Sequence, residues 1–412
     1  MSQEELFRKF GIELEYMLVR EDTLDVAPIA DRILERVAGT ITNEVKRGIM
    51  AWSNELALQV IEIKNSAPVP GLPGLAEKLQ KEVEEINRLA AQEGAILLPT
   101  AMHPWMDPHS ETQLWPHGNK DIYNTYNRIF NCQGHGWSNL QSTHLNLGFG
   151  TDEGFGCLHA AIRVLLPILP AIAASSPAAD GAFTGWLDTR LEYYRNNQKR
   201  IPFITGQVIP EPVFSEAEYE RQIYQHLRRD IAPLDPDGVL EAEWLNSRGA
   251  IARFDRSAIE IRVLDIQECP LADISLAVLI CAVLKGLTAE RWSGLAEQMA
   301  TETGGLAEIF TGTVRDGEET VINDRRYLSL FGRAGHAAMT AGELWQELAA
   351  DCTPELVAAG HGIRQTVETM LAHGPLSRRL IRALGAKPDR ERFEEVYREL
   401  GQCLAQGRLF LA

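Results

Sequence analysis

Three short stretches, far apart in the chain, alternate apolar residues with polar groups able to bind metal ions and phosphate. They are Gly11-Ile12-Glu13-Leu14-Glu15-Tyr16, Thr143-His144-Leu145-Asn146-Leu147 and Ile259-Glu260-Ile261-Arg262-Val263. A period of two marks a β-strand with unlike faces. Here the polar face carries Glu, Glu, His, Asn, Glu and Arg, where a solvated strand would usually carry Thr, Ser or Lys. Glu13 and Glu15 project from the same face, roughly 6 to 7 Å apart at a rise of ~3.3 Å per residue. That separation suits carboxylates sharing one or two divalent cations. Mg²⁺ takes oxygen ligands and bridges carboxylates to substrate phosphates, and Mn²⁺ also accepts an imidazole, the role open to His144. On the third stretch Glu260 could hold a metal while Arg262 beside it holds a phosphate oxygen. Each stretch taken alone also admits an ordinary reading: a solvated carboxylate face, a hydrogen-bonded structural histidine, an ion pair on one face.

Other residues carry weaker signals. Glu55 and Glu62 lie seven positions apart, so a continuous strand puts them on opposite faces, and both reach one site only if the chain turns or bulges between them. The run Val60-Ile61-Glu62-Ile63-Lys64 alternates again, with Glu62 and Lys64 facing one way. Arg248, Arg253, Arg256 and Arg262 crowd into fifteen residues of an acidic protein. They suggest recognition of an anion held between cations and carboxylates, or, for two of the four, plain ion pairs with Asp255, Asp265 and Glu268. There is no Gly-x-x-x-x-Gly-Lys-Ser/Thr loop, and Gly150, Gly154 and Gly156 lack the order of a dinucleotide fingerprint. A bound ATP would therefore be held by metal and sheet. His103, His109 and His117, with Asp107 and Glu111, match no zinc-ligand spacing and read as loop residues that cap or gate a site.

The elements that must position these groups follow from periodicity. A strand over residues 11–19 precedes a helically spaced segment, Asp31 to Val37, and a turn into Leu58 to Ile63. Ala67 to Gly74 is broken by proline and glycine. Leu75, Leu79, Val83, Ile86 and Leu89 then form one stripe of a helix from about Leu75 to Glu93, followed by a short buried strand, Ala95 to Pro99. Residues 100–142 show no clear periodicity and read as a long ordered loop lining a site, with His103 to Trp137 as a candidate lid. A helix is expected over 154–174, alternation returns over 250–265, and beyond Pro270 helix follows helix. Strands and helices mixed without regular βαβ alternation indicate an α+β fold.

Composition narrows the function. With 45% apolar and 24% charged residues the 412-residue chain is an ordinary globular protein. Its net charge of −17 argues against a nucleic-acid groove, which needs clustered Lys and Arg. The six cysteines form no Cys-x-x-Cys pair, which fits a reducing compartment. The acidic start, Met-Ser-Gln-Glu-Glu, has no signal-peptide pattern, and the apolar runs Val164 to Ala174 and Ile274 to Leu284 are about half of the ~20 residues that span a bilayer. A cytoplasmic protein without a membrane or nucleic-acid partner is expected.

Taken together, Gly11-Ile-Glu-Leu-Glu15, Asn54 to Lys64, Gln141-Ser-Thr-His-Leu-Asn146, Ser175-Ser-Pro177 and Asn246 to Arg262 resemble the carboxylate-amine ligases related to glutamate-cysteine ligase, in consistent order over roughly residues 10 to 285. The resemblance implies a glutamine-synthetase-like fold, a curved, mostly antiparallel sheet forming a funnel flanked by helices. It implies one catalytic domain over 1–412, with a β-core at about 10–270 and a helical region at about 271–412 that covers the sheet or builds a homodimer surface. ATP and two or three Mg²⁺, or Mn²⁺, would be bound. By the same carry-over Glu13, Glu15, Glu55, Glu62, His144 and Glu260 are metal ligands, Arg262 touches the transferred phosphate with Glu260 as its catalytic partner, and Arg253 and Arg256 assist at the nucleotide. Arg190 and Tyr194 fall where relatives recognise substrate. The activity implied is amide formation through an acyl phosphate, joining glutamate, or another amino-acid carboxylate, to cysteine or another small amine. The competing class is a metal-dependent amide hydrolase using His103, His109 and His144.

Overall fold

A computed structural model describes residues 6–411. The three alternating stretches lie in neighbouring strands at the centre of one sheet. The strands are β1 (Phe10–Arg20), β2 (Glu44–Arg47), β3 (Met50–Asn54), β4 (Val60–Asn65), β5 (Ala95–Leu98), β6 (Ser142–Gly148), β7 (Ala250–Arg253) and β8 (Ala258–Asp265). They run in the order β2-β3-β4-β1-β6-β8-β7, with β5 pairing the far end of β1, and every ladder is antiparallel. The fold class is thus the expected α+β one.

Register decides what the sheet presents. Glu13 lies opposite Lys64 on one side and His144 on the other, Glu15 opposite Glu62, and Glu260 opposite Asn146. Residues directly opposite share a face, so these polar groups form one floor. Ile12, Leu14, Tyr16, Ile61, Ile63, Leu145, Leu147, Ile259 and Ile261 point the other way and are buried. Between Ile261 and Leu264 the β6–β8 register shifts. Such an irregularity bends a strand and re-aims its side chains, and Arg262 sits inside it.

The apolar face is covered by helices. Leu75–Ala90 buries the predicted stripe of Leu75, Leu79, Val83, Ile86 and Leu89, each contributing about 2 kcal/mol on burial. It packs on Pro270–Thr288, a helix with a mean hydropathy of 1.9 in an 18-residue window. That helix is long and apolar enough to cross a bilayer, but 89% of the window is buried inside the fold. One hydrophobic cluster runs from Leu6 to Leu404. A second joins Met17, Val19 and Leu98 to Leu376, Leu380, Phe393, Val396 and Leu400 of two C-terminal helices.

Three segments differ from the sequence expectation. Residues 100–142 contain the helix Lys120–Phe130. Its buried residues are only Thr125, Tyr126 and Ile129, and Asn119 and Asn131 at its ends adopt left-handed backbone, so it has a narrow stripe and no strong start signal. The helix expected over 154–174 begins at Asp152, where the Thr151 hydroxyl accepts from the Gly154 N–H at 3.1 Å. It ends at Leu165, since Pro167 and Pro170 lack the donors a helix interior needs. The alternation over 250–265 is a hairpin, with Ala258 opposite Arg253 and a turn closed by Ser257 at φ 49°.

Candidate active site

The structure brings most of the expected ligands together on the polar face. One ligand atom from each of Glu13, Glu62 and His144 lies within 4.8 Å of the others, and the same holds for Glu15, Glu55 and Glu62. Glu62 is common to both groups. Glu55 arrives because β3 ends at Asn54 and the chain turns before β4 begins at Val60, the turn that the odd spacing required. Its position is held by backbone bonds from Leu58 to Gln113 and from Trp115 to Leu56, of 2.8 and 2.9 Å.

Around these groups the contacts are specific. His144 Nδ1 is 3.3 Å from Glu13 Oε2 and 3.7 Å from Glu260 Oε1. The Asn146 amide donates to the other Glu13 oxygen at 3.1 Å. Glu15 Oε2 accepts from the backbone N–H and the hydroxyl of Ser142 at 2.7 and 2.9 Å. Glu62 Oε1 accepts from the Ser53 hydroxyl and from Lys64 Nζ, both at 2.7 Å. Arg262 Nε stands 2.8 Å from Glu260 Oε1, although off the line of a good hydrogen bond, and Arg253 Nη1 is 3.8 Å from Glu260 Oε2. Ser142 and Ser53 were missed by motif reasoning. Strand parity was the available signal, because Ser142 precedes His144 by two residues.

Charge is unevenly compensated. Burial, reinforced by the charges of Glu15 and Glu62, pushes the Glu55 carboxyl well above the usual range. Burial and the charge of Glu13 raise Glu62 to about 7, against the pull of Lys64 and Ser53. Glu13 goes the other way: burial would raise it, but the hydrogen bond and charge of His144 together with Lys64 bring it down to about 2. Burial would likewise lower His144, yet the bond to Glu13 and the charges of Glu15 and Glu260 raise it to about 9, opposed by Arg262. Among the described residues no donor bonds the Glu55 carboxylate. Oxygen donors crowded at this density, with their negative charge incompletely matched, are what a hard divalent cation relieves. The donor set therefore fits Mg²⁺, with His144 admitting Mn²⁺ as well.

The remaining candidates divide. Arg262 faces the cluster through Glu260, and Arg253, which donates twice to Asp255 at 3.2 Å, also comes within 3.8 Å of Glu260. Arg256 is 62% exposed at the hairpin tip and pairs with Asp255 at 3.5 Å. Arg248 is buried against Glu211, with Nη2 2.6 Å from Oε1. Arg256 thus pairs as the plain reading expects, and Arg248 pairs too, but with Glu211 in place of the expected acids. Arg190 is buried in a pair with Asp265, and its Nη2 donates to the Arg262 carbonyl at 3.3 Å, so it braces the strand that carries Arg262. The Tyr194 hydroxyl is buried near Arg262 without a hydrogen-bond partner among the described residues. Tyr126, Phe130 and Trp137 pack together beyond it.

The loop histidines are engaged elsewhere. His103 is fully buried with Nε2 2.8 Å from the Leu24 carbonyl, and burial pulls it down to about 4. His109 is exposed on the short helix Pro108–Glu111, and His117 contacts Asp31 at 3.0 Å. Neither group of potential metal ligands includes them, so the donor set of the hydrolase reading is not assembled.

A helix-flanked antiparallel sheet of this form recurs in solved structures. The chain is similar to a solved glutamate-cysteine ligase of Francisella tularensis in complex with AMP, with a TM-score of 0.59, 12% identity, and 96% of this chain and 88% of that one covered. It is also similar to a bifunctional glutathione synthetase of Pasteurella multocida, with a TM-score of 0.62, 14% identity, and 97% and 53% coverage, so that it spans about half of that protein. At such identities the likeness is one of fold. Sequence relatives are closer: an uncharacterized protein of Archaeoglobus fulgidus is 40% identical over 278 residues, 67% of this chain and 73% of its own length. A putative glutamate–cysteine ligase 2 of Salinispora tropica is 27% identical over 287 residues, 68% of this chain and 65% of that one. The model of glutamate-cysteine ligase family 2 matches residues 9–399, and the chain belongs to that family. It is a carboxylate-amine ligase of the glutamate-cysteine ligase type.

Proposed function

We propose that the protein uses ATP to activate an amino-acid carboxylate, the γ-carboxylate of glutamate foremost, as an acyl phosphate, which a small amine such as that of cysteine then attacks to form an amide. The observation that supports this most is the pair of three-ligand groups sharing Glu62, with Arg262 and Arg253 at their edge. Glu13, Glu62 and His144 would hold one divalent cation, and Glu15, Glu55 and Glu62 a second, with Glu260 beside His144. Bound there, the cations neutralise phosphate charge and orient the nucleotide tail. Arg262 and Arg253 add positive charge where the phosphoryl group moves, a role in which positioning and electrostatics supply most of the catalysis. Glu260 stands against the Arg262 guanidinium, while Asp255 holds that of Arg253. Arg190 fixes the backbone of Arg262 through its carbonyl, and the free hydroxyl of Tyr194 is a donor or acceptor for substrate. Tyr126, Phe130 and Trp137 are placed to limit water, which would hydrolyse an acyl phosphate. We assign the whole chain to one catalytic unit, supported by the core that runs from Leu6 to Leu404.

The test is ADP release from ATP and Mg²⁺ with glutamate and a panel of amines. ADP and the amide should appear together, only when both an amino acid and an amine are present. Amide cleavage without nucleotide would support the hydrolase instead.

A further inference from the structure

One side chain of the polar face touches two members of the ligand set without belonging to it. Ser142 is buried at the start of β6. Its backbone N–H and its hydroxyl both donate to Glu15 Oε2, at 2.7 and 2.9 Å, and its Oγ lies 2.9 Å from His144 Nε2. A hydroxyl has one proton and two acceptor lone pairs. A carboxylate offers only lone pairs, so the single proton goes to Glu15. The contact with the imidazole must then run the other way, from Nε2–H into the serine oxygen. That order leaves Nδ1, the nitrogen facing Glu13 and Glu260 at 3.3 and 3.7 Å, as the one a bound cation would take in place of a proton. It also occupies Oε2 of Glu15 and leaves Oε1 as the oxygen Ser142 does not take.

The geometry points to Ser142 as a positioning residue that sets two ligands at once: it pins the Glu15 carboxylate through one oxygen and holds His144 as the Nε2–H tautomer, with Nδ1 turned to a divalent cation. This rests on the reading of the cluster as a cation site. Partners behind the ligands commonly fix ring tautomer and ligand direction in metal sites. Ser53 does part of the same for Glu62, but Lys64 bonds the same oxygen. Glu15 Oε1 also faces His144 Nε2 but stands farther off, at 3.8 Å.

The experiment is a Mn²⁺ titration of the full chain without nucleotide, followed by electron paramagnetic resonance of the free ion, for wild type, Ser142→Ala and Ser142→Thr. Ser142→Ala should bind about 10- to 100-fold more weakly, and Ser142→Thr, which keeps the hydroxyl, close to wild type. On the unaltered protein, ¹⁵N spectra of the histidine rings with Cd²⁺ bound should show the His144 proton on Nε2. Equal affinity of wild type and Ser142→Ala would overturn the assignment, as would a His144 proton on Nδ1 in the Cd²⁺-loaded wild type. A wild type that takes up no Mn²⁺ removes the cation site itself, a failure distinct from both.

Discussion

Replacing Glu62 by glutamine should stabilise the protein without metal and deprive it of the stabilisation metal brings. In the folded chain Glu62 titrates at about 7, against 4.5 for an ordinary glutamate. Because the folded value is the higher one, its ionisation costs nothing below the unfolded value, and the cost grows as pH rises through 7. The difference of about 2.5 pH units corresponds to about 3 kcal/mol above pH 8, and Glu62 is only 4% exposed, so little of it is screened by solvent. At pH 5 the same linkage leaves about 1 kcal/mol. With an unfolding entropy of about 0.9 kcal/mol per degree for a chain of this length, Glu62→Gln should melt about 3–4 °C higher than wild type at pH 8 in a chelator. Mg²⁺ should reverse the order. A cation at one hundred times its dissociation constant adds about 2.7 kcal/mol per site, and both ligand groups need Glu62, so wild type gains where the variant does not. Differential scanning calorimetry at pH 5 and 8, in chelator and in Mg²⁺, gives the four comparisons. A variant less stable than wild type at pH 8 in chelator, or equal Mg²⁺ gains for both proteins, would refute the reasoning.

Other outcomes follow from the same geometry. Arg262→Ala and Glu260→Gln should each lower ADP release by at least about 10³-fold, the scale of losing a preorganised charge at a transferring phosphoryl group, while circular dichroism stays that of wild type; normal turnover in both would break the site assignment. Arg256→Ala, at an exposed hairpin tip where it pairs with Asp255, should change steady-state turnover little, and a large loss of kcat would return it to the nucleotide site. Arg248→Met removes the buried partner of a Glu211 that is itself 30% exposed and should lower stability in denaturant titration by about 2 kcal/mol, a change absent if the pair is dispensable.

The centre of the sheet was legible because its strands have unlike faces, and alternation is the one pattern that reports a face without knowledge of the partner strand. Glu13, Glu15, His144 and Glu260 could therefore be placed from sequence. Glu55 could not, since its access depends on a turn held by Gln113 and Trp115, residues far along the chain. The arginines show the same limit. Arg248 and Arg253 are alike in the sequence, and what separates them is Glu211, 37 positions from Arg248, against Asp255 beside Arg253 and Glu260 within 3.8 Å across the hairpin. The helix Lys120–Phe130 was hidden by its narrow stripe. Ser142 and Ser53 escaped because seryl hydroxyls are common on any strand, and only register shows which carboxylate each one holds.

The strand that carries Glu13 and Glu15 is backed at its far end by the last helices. Met17 and Val19 pack with Phe393, Val396 and Leu400, and Arg398 donates to the carbonyls of Glu21 and Asp22, both at 2.8 Å, just after that strand ends. During translation, then, Glu13 and Glu15 leave the ribosome hundreds of residues before the surface their strand leans on exists. Loss of the helices that carry Phe393 and Arg398 would therefore bare the far end of the strand holding Glu13 and Glu15.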